Sequence, residues 1–180
     1  ILFRLCRAAD RPLRTVTGEV GDLYPQDILL DALPLGRLLF CLPHATAPEL
    51  TSHPAYRTVA VKQGYAKCAA LPIGSGALAS ADPSILGAAE REGLETVRLT
   101  AGGIVLDGYG TGFIGGAASF APYGGCDTVF FCGALGRYPD GARLTAALTA
   151  HGLRVCDIPD EPLTDVGTVF LLGGRKHGTA

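Results

Sequence analysis

Methionine is absent from the sequence, so the chain does not open on an initiator residue, and Ile1 falls in what reads as the middle of an apolar segment. We therefore expect the chain to be incomplete at its amino terminus. Cationic residues are not in surplus either: fifteen Lys and Arg stand against seventeen Asp and Glu, scattered along the chain, for a formal charge of −2. Nothing here would neutralise a phosphate backbone, which excludes nucleic-acid binding as the main task. The first residues, ILFRLCRAAD, carry an apolar run broken by Arg4 and Arg7, too short for a membrane span and unlike a secretory signal. The expectation is a cytoplasmic protein with no membrane partner. No Cys-x-x-C pair supplies zinc-ribbon spacing, and neither GFIGG nor AGGIVL is followed by the Lys-Ser or Lys-Thr of a phosphate-binding loop. No metal and no cofactor are expected.

The chain does contain 25 glycines and 12 prolines among 48% hydrophobic residues, which describes a compact protein with many tight turns. Its 180 residues suffice for one domain with a core. The six cysteines (Cys6, Cys41, Cys68, Cys126, Cys132, Cys156) sit singly, mostly inside apolar runs such as LFCL and VFFCG, and read as buried free thiols. Two segments have helical periodicity. In DPSILGAAERE, residues 82–92, Asp82 serves as N-cap, Pro83 takes the first helical position and Gly93 is the stop. Residues 140–151 place Leu144, Ala147 and Leu148 on one face and stop at Gly152.

Each helix leads into a strand, LETVRLT after the first and LRVCDI after the second, and then into a turn, an aromatic-containing strand and a Gly-Gly. The chain is thus internally repetitive. A weaker upstream copy lays QGYAKCAAL on DGYGTGFIG, with Gly64-Tyr65 facing Gly108-Tyr109. This gives VKQGYAKC the same place in its repeat as GFIGG has in the next. Small α/β repeats bury both faces of their sheets by packing around an axis or stacking in a row. The expected modules run over 20–65, 66–116 and 117–174, with a tail at 175–180.

The segments YPQDI (24–28), VKQGYAKC (61–68), AGGIVL (101–106), GFIGGAAS (112–119) and DVGTVFLL (165–172) together resemble an uncharacterised bacterial family of the guanidino-group-modifying enzyme fold. That fold is also called the pentein fold or β/α-propeller, and the resemblance implies ββαβ modules around a central site. In its enzymes a Cys attacks a guanidinium carbon, a His shuttles protons and carboxylates hold the cation. Several of those residues are replaced here. Gln26 stands where an Arg is expected, Ala101 and Ile104 replace a Glu and an Asp, and Phe170 and Leu171 stand where a His-Cys pair belongs. DTVFFCGAL lacks the catalytic His.

The resemblance and the residue chemistry together leave two readings. In the first, the protein binds a small cationic ligand without the standard Cys/His set. In the second, it is a thiol-dependent amidino hydrolase or transferase of altered layout, with Cys68 as nucleophile and Asp27 orienting the cation. A protein-binding or ribosome-binding role on an outer surface is a third. Tyr24, Lys62, Gln63, Tyr65, Lys67, Gly115 and Gly116 are the candidate ligand contacts, and no pattern specifies an oligomeric state. Lys62 and Lys67 flank Cys68 and are expected to lower its pKa, although strand alternation would set Lys67 on the face opposite Cys68. The glycines read as places of close backbone approach that leave room for a ligand. Of the histidines, His44 and His53 lie in Pro-bounded loops, His151 ends a helix and His177 belongs to the tail.

Overall fold

A computed structural model describes residues 13–169, together with Cys6. Ile1, Arg4, Arg7, Phe170, Leu171 and His177 from the sequence reading lie outside the described residues. Three sheets follow one another along the chain, each built as a hairpin, a helix and a third strand. The first contains β1 (Leu33–Leu35), β2 (Leu38–Cys41), α1 (Pro48–Thr51) and β3 (Arg57–Ala60). A single helical turn, α2 (Ala66–Ala69), precedes the second, which contains β4 (Ala70–Ile73), β5 (Ala77–Ser80), α3 (Pro83–Arg91) and β6 (Glu95–Arg98). The third contains β7 (Ala118–Tyr123), β8 (Cys126–Phe131), α4 (Gly141–Ala150) and β9 (Arg154–Cys156).

In every sheet the first two strands are antiparallel and the third returns parallel to the second, as in Leu78 opposite Thr96 and Val129 opposite Val155. Local chemistry explains these elements. The β7–β8 turn has Gly124 and Gly125 at φ of 59° and 78°, the pair of positive values that a tight two-residue hairpin demands. Helix α3 starts where Asp82 accepts hydrogen bonds from the backbone of Ser84 (2.8 Å) and Ile85 (3.0 Å), and Pro83 fills a position that needs no donor. Its buried face is Ile85, Leu86, Ala88 and Ala89.

All four residues of β5 are buried, and alternation sends them into two different cores. Ala77 and Ala79 join Leu71, Val129, Phe131 and Leu144, whereas Leu78 joins Leu35, Phe40, Ile85 and Leu86. The middle sheet therefore supplies apolar surface to both neighbours. Burying Leu78 alone contributes about 2 kcal/mol before entropy is counted. Adjacent units are held by shared cores, and the loops between them are brought together at one end.

Several sequence expectations change. VKQGYAKC is a loop that runs into α2 ahead of β4, and GFIGG is a loop ahead of β7, so neither is a strand. Backbone Ala69 N donates to Tyr65 O and Ala117 N to Phe113 O, so Tyr65 is the counterpart of Phe113, four residues beyond the Tyr109 with which the sequence pairs it. Six free thiols are present, but Cys126 and Cys156 are exposed: Cys126 opens β8 directly after the hairpin turn, and Cys156 takes an outward position of β9. Among the described residues, no helix is long and apolar enough to cross a membrane.

Candidate functional site

The loops before β1, β4 and β7 meet the segment 165–168, and their backbone bonds set the site. Asp31, just before β1, accepts the backbone N–H of Lys67 at 2.7 Å. Because α2 is a turn of helix and no strand, Lys67 and Cys68 do not point to opposite faces. Lys67 Nζ donates to Gly115 O (2.8 Å) and Gly167 O (2.9 Å), and the Cys68 thiol lies 3.3 Å from the same Gly167 oxygen. The Asp31 carboxylate is also near enough to Cys68 for each to shift the other's pKa. Asp31, Lys67, Cys68 and the carbonyls of Gly115 and Gly167, together with Asp165, which accepts Gly167 N, thus form one connected node.

Burial decides the protonation states here. The Cys68 thiol is pushed up to about 12, first by burial and then by the Asp31 charge, and Lys67 only partly opposes this. The expected low-pKa thiolate is therefore overturned: at neutral pH Cys68 is a thiol. Lys62 takes no part, since it is exposed and its backbone N–H is held by Ser84 Oγ at the start of α3. Burial also lowers the Lys67 pKa, against the pull of neighbouring Cys68, Asp31 and Asp165, and it raises that of Asp31 against bonds from Lys67 and Cys68.

An open cleft of about 580 Å³ borders this node, walled by Asp27, Leu30, Asp31, Lys67, Cys68 and Thr168. Tyr65 OH donates to Asp27 Oδ2 at 2.5 Å, which, with burial, pushes the phenol up to about 12. Asp27 Oδ1 is buried and has no hydrogen-bond partner among the described residues. The ring of Tyr65 sits 6.1 Å from Tyr24 on one side and 6.1 Å from Phe113 on the other. Tyr24 is largely exposed and packs against Gly64.

Other candidates lie elsewhere or are already occupied. Gln63 ties two elements, donating to Asp82 Oδ2 (3.0 Å) and accepting from Tyr65 N (3.1 Å), and it faces a separate cavity of about 170 Å³ lined by Leu99, Ile104 and Phe113. Gly115 and Gly116 both donate to Cys68 O, and the room beside them is filled by backbone carbonyls and by Asp165. Close backbone approach is their role, and no ligand space remains at the Cβ positions. None of the described histidines borders the cleft: His53 bonds Ala55 N and His151 pairs with Glu95. Among the described residues no cluster of three or more His, Cys, Asp or Glu could hold a metal ion.

Two residues of the node escaped the sequence reading. Asp31 stands in the apolar run ILLDAL and Asp165 opens DVGTVFLL, and neither is among the candidate residues of the sequence. Asp165 is buried, accepting Phe113 N through Oδ2 and Gly167 N through Oδ1, both at 2.8 Å, and so fixes the Gly167 carbonyl. One available signal was that each is a lone carboxylate in an apolar run beside a hairpin or a glycine.

Comparison with known proteins matches residues 10–170 to a family described as one of unknown function (DUF6873). No curated protein and no solved structure matches the chain.

Proposed function

The chain belongs to this DUF6873 family, and since no activity comes with that membership, we propose from its own geometry that it binds a small organic cation in the cleft beside Asp31. The occupant is of the guanidinium or amidinium class, a planar set of donors matched by carboxylate and carbonyl acceptors. One observation carries this reading: the half-buried Asp31 carboxylate is fixed by Lys67 N in the wall of an open cleft, with the Gly167 carbonyl beside it. The three successive ββαβ sheets and the resemblance described above support treating the units as modules of a pentein-like β/α-propeller. Six unpaired thiols fit the reducing compartment that a cytoplasmic location provides.

Cys68 in the cleft wall favours a second reading, in which the cation is also a substrate. The thiol sulfur would add to the guanidinium carbon, an amine would leave with the thiol proton, and water would then release the product as a urea. A resting thiol near 12 favours binding over this chemistry. Isothermal titration with guanidinium, methylguanidinium and agmatine tests the proposal. Wild type is expected to bind at least one of them, and D31N to bind at least tenfold more weakly, while D127N on exposed Asp127 behaves as wild type. No heat with any cation, or equal affinity in D31N, sinks the proposal; release of ammonia or amine during the titration moves the conclusion to the hydrolase.

A further inference from the structure

Lys67 differs from every other basic residue described. Its ammonium is drawn inward to the carbonyls of Gly115 and Gly167, which belong to two different segments, one before β7 and one after β9. Its own backbone N–H is held by Asp31, so the root of the side chain is fixed next to that carboxylate in the cleft wall. The chain around each oxygen is held by bonds that do not involve the lysine side chain: Gly116 N, in the peptide plane of Gly115 O, donates to Cys68 O as Gly115 N does, and Gly167 N donates to Asp165. The two oxygens therefore form a preset acceptor pair, with the carboxylates of Asp31 and Asp165 close enough to favour positive charge there. An ammonium in such a place costs desolvation, as the lowered Lys67 pKa records.

We propose that the Gly115–Gly167 carbonyl pair is a cation subsite of the cleft and that Lys67 is its tethered occupant, a built-in competitor that an incoming cation must displace. This rests on the cation-binding reading above. A side chain already in place acts as a very concentrated internal ligand, so the observed Kd is the intrinsic one divided by the fraction of time Lys67 is out. The occupants that fit are primary ammonium and guanidinium ions, since each offers two or more N–H donors to two fixed oxygens. Lys67 then sets a threshold, and only a cation gaining further contacts with Asp31 displaces it.

Replacing Lys67 by Met keeps most of the side-chain volume and removes the charge. K67M is expected to bind methylguanidinium and ethylammonium at least tenfold more tightly than wild type by isothermal titration, and K67Q, which keeps an amide donor, to fall between the two. Circular dichroism melts establish that each variant is folded, and K67Q carries the comparison where K67M is not. If wild type binds and neither variant binds more tightly, Lys67 is no competitor and this inference fails while the cation site stands. Binding by a variant and none by wild type upholds the subsite and overturns the reading of the native protein as a cation binder. No binding by any form removes both.

Discussion

Replacing Asp165 by Ala removes the acceptor of two backbone N–H groups, those of Phe113 and Gly167, in a place where the carboxylate is only 6% exposed. Each orphaned donor costs about 1–3 kcal/mol, and relief of the buried charge returns part of this, leaving a net loss of about 3 kcal/mol. For a chain of this size that is roughly 6–12 °C in melting temperature, or a clear fall in urea midpoint at unchanged slope. A double-mutant cycle sharpens the test. A Cβ at Gly116 would run into the Asp165 carboxylate, so G116A is expected to destabilise the wild type and to do so by at least about 1 kcal/mol less in the D165A background. Urea unfolding of the four proteins measures both terms. A D165A loss below about 1 kcal/mol, or additivity of the two changes, would show that Asp165 does not clamp the two loops and that the Gly167 carbonyl is held by something else.

Two further outcomes follow from the same contacts. G115A puts a methyl group against the backbone carbonyls of Ala70 and Lys67, which cannot rotate away, so it is expected to cost more than about 2 kcal/mol in urea unfolding. The matched control G110A, which has open space, is expected to stay within about 0.5 kcal/mol. Alkylation by iodoacetamide at pH 7.5, followed by peptide mass spectrometry, should label exposed Cys126 and Cys156 well before Cys68, whose thiol is held near 12. The Cys68 rate should climb as pH rises from 7.5 toward 10, because a raised pKa leaves the thiolate fraction increasing about tenfold per unit throughout that window. A Cys68 that reacts first at pH 7.5 would contradict this account and revive the nucleophile.

The node also shows how a site can be assembled from main chain as much as from side chains. Its acceptors are two carbonyls and two carboxylates, its donors a lysine and a thiol, and the glycines act by permitting approach. Of its side chains, only Lys67 and Cys68 are candidates in the sequence. Gly115 and Gly116 stand out in the sequence as a pair, and at both the backbone is approached so closely that a Cβ has no room.

The sequence by itself determined the two long helices, because Asp82-Pro83 and Gly93 around one, and Gly152 after the other, are local signals that need no tertiary partner. It also determined that the helices lead into strands and that the plan repeats, since periodicity is a property of one segment at a time. What only the tertiary structure decided is the state of the residues between the sheets. Whether Ala66–Ala69 is a strand or a turn of helix depends on Asp31 taking the Lys67 N–H from 36 positions away. Whether Cys68 is a thiolate depends on burial and on that same carboxylate, which outweigh the adjacent lysine that sequence proximity brings to notice. Neighbours in sequence suggest charges, but the dielectric and the distances that set a pKa come from groups the chain brings together only when folded.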